Sequence, residues 1–279
     1  MIALFALACE TQVPPDPTPS VLVDEGDFWL TGIDSSGRIY ALGGYYYINL
    51  MRYTDTSEEV FLEDVRCFHI KGNFMAAGVY DYDNDRYILL MYDLRTDALI
   101  GSALPEFHPE VVGVVDSDRV LVVPYFTDSF YLWNVKTGDV TYLFDYYWED
   151  EDDYYYSSRS FDVSWPLVIL DNGELLDSGG TLLENWDTLG HDFVFWPGAD
   201  SILVFCSEVY PGYLGRLNRK TGQLAYYYNK VAGLSDAKGP SVSPDEAFIA
   251  FCANHGNEGR DEWGGPYPTD YYLWKYPLR

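Results

Sequence analysis

An all-β fold, a six-bladed β-propeller of four-stranded antiparallel blades, is what this sequence predicts, on three observations. A hairpin turn recurs with its second residue at Asp55, Asp97, Gly138, Gly179 and Gly222, at spacings of 42, 41, 41 and 43. Its flanks are β-branched and aromatic: Tyr131-Leu132-Trp133-Asn134-Val135 precedes Lys136-Thr137-Gly138-Asp139, and Val140-Thr141-Tyr142-Leu143-Phe144 follows it. That is the pattern of two strands around a tight turn. Finally, a short strand is left over before the first repeat while the last repeat is one strand short. A period of about 42 residues with several short strands each marks propeller blades.

Taken in order, residues 1–9 are apolar up to Ala8-Cys9 and read as the remnant of a secretory signal. The small residue before Cys9 resembles a bacterial lipoprotein lipobox, which implies lipidation of Cys9 and a place in the cell envelope, facing the periplasm or the cell surface. Another exported form and an ordinary N-terminal tail are the alternatives. Residues 10–19 hold Pro14, Pro15, Pro17 and Pro19 and read as an extended linker rising about 3 Å per residue. Residues 20–279 then form a single propeller domain. With strands A to D running outward from the axis, the third repeat places them over 110–115, 120–123, 130–135 and 140–144. The fifth places them over 193–196, 201–206, 213–218 and 223–228. The sixth ends on strand C, and Ser20-Val21-Leu22-Val23-Asp24 supplies the missing D strand, so that closure removes the free sheet edges. An irregular seventh blade is the alternative count.

Two segments carry a family resemblance. The sequence from Pro240-Ser241-Val242-Ser243-Pro244-Asp245 to Phe251 is similar to the Ser-Pro-Asp repeat of TolB-like propellers, with a divergent copy over 195–205. The turn Trp133-Asn134-Val135-Lys136-Thr137-Gly138 resembles that of WD-repeat propellers. Such propellers mostly bind other proteins or sit beside catalytic domains, so the resemblance implies a scaffold and no particular chemistry.

Composition narrows the partners. Aromatics are 18% of the 279 residues, which argues against a disordered chain. With 44 acidic against 17 basic side chains the net charge is −27, which disfavours nucleic acid and anionic membrane surfaces. A basic protein or peptide is the expected partner, and membrane contact is expected only through the lipid anchor. The expected state is a monomer. Cys206 and Cys252 occupy matching places in neighbouring repeats and read as small core residues, and no cysteine has zinc-site spacing.

Strand order divides the connections between two faces. The A–B and C–D turns on one face are compact, as in Asp34-Ser35-Ser36-Gly37, Asp116-Ser117-Asp118 and Ser243-Pro244-Asp245-Glu246. The other face takes the B–C and D–A connections and every long insertion, and long loops on a rigid scaffold concentrate binding residues. The richest is the 145–156 loop, six carboxylates bracketed by six aromatics. Tyr146, Tyr147, Trp148, Glu149, Asp150, Asp152, Asp153, Tyr154 and Tyr155 are its candidate ligand residues, suited to Lys or Arg through cation–π contact and ion pairing. Trp263, in the Gly-rich 256–268 segment, is a candidate stacking platform for a sugar or peptide. Asp81, Asp83 and Asp85 alternate as in the start of a calcium loop, but Arg86 and Tyr92 stand where that loop needs Gly and Glu. A polar turn is the preferred reading there, so no cofactor is expected and calcium is the weaker alternative.

No nucleophile elbow, phosphate loop or His-Glu-x-x-His occurs, so an enzyme is the less favoured class. His69 and the pair His191-Asp192 lie at or beside A strands and could join Asp162 in the central channel as a metal or acid/base site, with hydrogen-bonded structural histidines the preferred reading. The functional expectation is an exported, lipid-anchored propeller that binds a protein or peptide through its acidic, aromatic loop face. A carbohydrate-binding or carbohydrate-active protein and a purely structural propeller are the alternatives.

Overall fold

Strand Arg119–Pro124 is buried on both faces except at its first residue, and the direction in which its side chains alternate explains the architecture. Val120 and Val122 pack toward the preceding sheet, while Leu121 and Val123 pack toward the following one. A sheet with two apolar faces has to be covered on both sides, and a ring of sheets does this for every member. The computed structural model of the protein describes residues 21–24, 28–43, 48–54, 56–125, 127–147, 160–207, 213–227, 234–255 and 271–278. They form six four-stranded antiparallel sheets, the predicted six-bladed propeller.

After β1 (Val21–Asp24), blade 1 consists of β2 (Phe28–Ile33), β3 (Ile39–Gly43), β4 (Asn49–Tyr53) and β5 (Glu58–Leu62). Blade 2 is β6 (Val65–Lys71), β7 (Phe74–Asp81), β8 (Arg86–Asp93) and β9 (Ala98–Ala103). Blade 3 is β10 (Pro109–Asp116), β11 (Arg119–Pro124), β12 (Ser129–Asn134) and β13 (Val140–Asp145). Blade 4 is β14 (Phe161–Ser164), β15 (Leu167–Leu170), β16 (Glu174–Leu176) and β17 (Leu182–Asn185). Blade 5 is β18 (His191–Trp196), β19 (Ala199–Ser207), β20 (Tyr213–Asn218) and β21 (Gln223–Tyr227). Blade 6 joins β22 (Leu234–Val242), β23 (Phe248–His255) and β24 (Tyr271–Pro277) to β1, in the order β1-β24-β23-β22. The leftover N-terminal strand therefore closes the ring as expected. Tyr53 of blade 1 donates its hydroxyl to Asp24 Oδ2 at 2.6 Å, tying the closing strand to the next blade.

The core is divided into six apolar clusters, one at each interface between consecutive blades. Cys206 packs between blades 5 and 6 and Cys252 between blades 6 and 1, and both are buried.

The repeated turn has a local cause. Asn134 Oδ1 accepts the N–H groups of Lys136 and Thr137 at 3.1 and 3.2 Å, and Asn218 Oδ1 does the same for Lys220 and Thr221. Each is an Asx turn leading to a left-handed glycine, Gly138 or Gly222. In the fourth repeat the left-handed residue is Gly180 rather than Gly179, because Asp177 caps the N–H groups of both Gly179 and Thr181. The Ser-Pro-Asp segment is likewise a turn. Buried Ser243 Oγ accepts the N–H groups of Ala247 and Phe248 at 2.9 and 3.0 Å.

One boundary differs from expectation. The sequence reads 229–239 as one of the long insertions, yet Leu234 onward belongs to β22. Bulges between Ser235 and Ala237 and between Lys238 and Ser241 absorb the poor strand formers.

Candidate functional site

The channel and one face of the disc are the two places where polar groups converge. In β6, alternate residues Cys67, His69 and Lys71 share a face. His69 Nδ1 accepts the N–H of Val114 in blade 3 at 3.1 Å. Its proton is therefore on Nε2, which donates to Asp162 Oδ1 in blade 4 at 2.8 Å. A bond from blade 2 to blade 4 crosses the axial region. Asp162 also accepts the N–H of Val163 at 2.6 Å and, through Oδ2, that of Phe195 in blade 5 at 2.7 Å. Burial acts to raise the pKa of this carboxyl, but the bonds from His69, Phe195 and Val163 outweigh it and hold the group below the usual carboxylate range.

The network continues around the ring. Lys71 Nζ donates to the carbonyls of Val163 and Val115 at 2.9 and 3.3 Å. Burial lowers the Lys71 pKa, and the charges of Asp162 and Asp116 act against that shift. Asp192, left-handed at φ 54°, accepts the N–H of Gly239 in blade 6 at 2.9 Å. Thr31 of blade 1 donates to the Gly239 carbonyl at 2.6 Å. Ser35 N–H to the Gly72 carbonyl, 2.9 Å, joins blades 1 and 2. Polar links thus involve every blade, with His69 and Lys71 of blade 2 bridging blades 3 and 4.

This arrangement determines what the channel can do. Both His69 nitrogens are engaged, so the ring has no lone pair for a metal and no open position for a substrate proton. Among the described residues no group of three or more His, Cys, Asp or Glu side chains is placed to hold a metal ion. The structure brings His69 and Asp162 together as the sequence suggests, whereas His191 and Asp192 pair with each other at 3.3 Å beside the blade 6 contact.

The second convergence is on the loop-rich face. Every A–B and C–D connection spans at most five residues, while the D–A connection 146–160 and the B–C connection 256–270 span fifteen each. Rings from three of the connections on this face meet in a row. Tyr82 lies edge-on to Tyr80 at 4.6 Å, and Tyr80 lies 4.8 Å from Tyr87. Tyr87 stacks on His108 at 3.9 Å and 12°, and His108 lies 4.8 Å from Tyr125. Arg66 reaches in from the start of β6, over the Tyr80 ring at 5.9 Å, and donates to the Tyr82 hydroxyl at 3.1 Å. Burial and the Arg66 charge lower the His108 pKa, which keeps the imidazole neutral in the row.

No known family and no curated protein matches its sequence. A structural genomics protein of unknown function from Bacteroides thetaiotaomicron superimposes with a TM-score of 0.61 at 10% identity, covering 92% of this chain and 72% of that one. The WD40 repeats of RRP9 superimpose with a TM-score of 0.55 at 12% identity, covering 93% and 97%. The likeness is one of fold. The propeller fold is shared with a WD40 structure.

Of the candidate ligand residues in the 145–156 loop, Tyr146 and Tyr147 are described. Tyr146 packs against the core between blades 3 and 4, and burial together with Glu174 pushes its phenol up to about 12. Tyr147 is 72% exposed. Trp148, Glu149, Asp150, Asp152, Asp153, Tyr154, Tyr155 and Trp263 lie outside the described residues, as do Cys9 and the 1–19 segment. In the 81–85 turn, Asp81 Oδ2 is bonded to Asn84 at 2.8 Å and Arg86 at 3.2 Å, and Asp85 accepts the Tyr80 hydroxyl. Asp83 stays exposed at the tip. The ring row itself, Tyr80, Tyr82, Tyr87, His108 and Tyr125, escapes sequence reading because each member sits at a strand end where an aromatic is an ordinary strand former. Its only local signal is the alternation of Tyr80 and Tyr82 with the three aspartates.

Proposed function

We propose that the chain is an exported, lipid-anchored propeller that holds a protein or peptide partner against its loop-rich, acidic and aromatic face. The observation that carries this reading is the contrast between the two faces. One is a set of turns whose polar side chains cap their own backbone, and the other combines the long connections with exposed rings. Loops on a rigid sheet framework are free to supply contacts, since the framework does not depend on them. The net charge of −27 favours basic partners and speeds their encounter. The buried Ser243 turn is in keeping with the TolB-like resemblance of the last blade, and TolB-like ancestry suits the cell envelope.

The test is capture from an envelope extract at low salt by the full chain, beside a variant with Glu149, Asp150, Asp152 and Asp153 changed to Lys. A partner retained by the wild type and lost by the variant is the expected result. An empty capture, or one unaffected by the charge reversal and by alanine at the exposed rings, overturns the reading. The anchor is checked separately by metabolic labelling with a fatty-acid analogue, which Cys9→Ser is expected to abolish.

A further inference from the structure

We propose that the ring row of blades 2 and 3 is itself the docking site, and that its occupant is a basic, extended segment of a partner protein whose Lys or Arg side chains lie against Tyr82 and Tyr125. This rests on the reading of the loop face as the binding face. Tyr82 is 59% exposed and Tyr125 40%, so the two ends of the row present ring surface to solvent while Tyr80, Tyr87 and His108 hold the middle rigid. Rigid aromatic anchors lose little entropy on binding.

Charge selects the class of occupant. The connections and strand ends that carry the rings also carry Asp81, Asp83, Asp85, Glu106 and Asp128, against the two cations Arg66 and Arg86. Arg66 already demonstrates the chemistry, its guanidinium facing Tyr80 and bonded to the Tyr82 hydroxyl. An incoming cation would meet the remaining ring faces in a field of excess carboxylate, with His108 contributing no opposing charge. The row also runs into the loop that the sequence singles out. The Tyr125 N–H bonds to the His108 carbonyl and the Tyr146 N–H to the Asp128 carbonyl, both at 2.7 Å, so the 125–128 connection links His108 to Tyr146 and exposed Tyr147. The row thus reaches Tyr146 and Tyr147.

The experiment is fluorescence anisotropy on the full chain with a labelled decapeptide of alternating Arg and Gly, and with an alternating Glu and Gly control. The Arg peptide is expected to bind and the Glu peptide not to. Tyr82→Ala combined with Tyr125→Ala should weaken binding roughly tenfold, as the loss of two cation–π contacts implies. Tyr82→Phe, which keeps the ring and loses the hydroxyl, should retain it, and Asp83→Asn should lessen its salt dependence. Tyr82→Ala alone removes a largely exposed side chain, so an unchanged melting temperature shows that the fold is intact. Full binding by the double alanine variant overturns the docking site. If reversal at Glu149, Asp150, Asp152 and Asp153 then abolishes binding, the loop-face reading stands without it, and if neither set matters both fall. Binding of a labelled neutral oligosaccharide such as chitohexaose, with no binding of the Arg peptide, also overturns the proposal and identifies a glycan site.

Discussion

Asp162 is the residue whose removal should cost the ring most among the polar groups of the channel. Asp162→Ala leaves three donors without their acceptor: His69 Nε2–H, the Val163 N–H and the Phe195 N–H. A buried donor left unpaired costs about 1–3 kcal/mol. The side chain is 17% exposed, so channel water reaches the vacated space and the lower end applies to each donor, about 3 kcal/mol in all. For a chain of this size that lowers Tm by about 6–12 °C. Asp162→Asn should do less. Its amide oxygen can still accept from His69 and Val163, but its NH₂ then faces the Phe195 N–H, a loss of about 1–2 kcal/mol.

The pH dependence fixes the cause. The folded-state pKa of Asp162 lies below its unfolded value, so the stabilisation is fully present above the unfolded pKa, about 3.9, and is lost as pH falls through the folded value. The difference in Tm between wild type and Asp162→Ala should therefore be constant from neutral pH down to about 5 and shrink below about 4. Differential scanning calorimetry across that range measures it, and hydrogen exchange of the peptide containing Phe195 should quicken in both variants. Equal Tm values at neutral pH, or a gap that widens on acidification, would refute the view that this carboxylate staples blades 2, 4 and 5.

Two other substitutions probe the packing and the closure. Gly113→Ala places a Cβ 2.7 Å from Val163 Cγ2 and closer still to Phe161, where β10 meets blade 4, and should destabilise by about 1–3 kcal/mol in chemical denaturation. Tyr53→Phe removes the bond to Asp24 Oδ2 that holds the closing strand and should cost about 1 kcal/mol, with protease cleavage near residues 21–24 becoming faster.

What was legible in the sequence is what short-range chemistry encodes. The Asn134 and Asn218 turns are decided within five residues, and their spacing gave the blades. The unpaired β1 followed by simple counting, because a closed ring requires every blade to have four strands. Asp162 and His69 were placed beside the channel correctly, but their partnership spans 93 positions and is fixed by the angle between blades, which no local pattern records. The two bulges of β22 hid a strand start for the opposite reason: Gly239 is a turn former by itself, and only its bonds to Asp192 and Thr31 make it part of the channel wall. The ring row was invisible because an aromatic at a strand end looks the same whether it faces a core or an open surface.

These two kinds of site differ in what they can give up. In the channel every polar atom of His69 and Asp162 is committed to holding blades together, so a ligand there would have to replace a bond that the fold uses. On the loop face, the ends of the ring row and the exposed Asp83 are attached to connections whose backbone the six inter-blade cores do not need. A propeller built this way keeps its axis for stability, and the proposed docking of a basic partner draws only on groups that the six cores can spare.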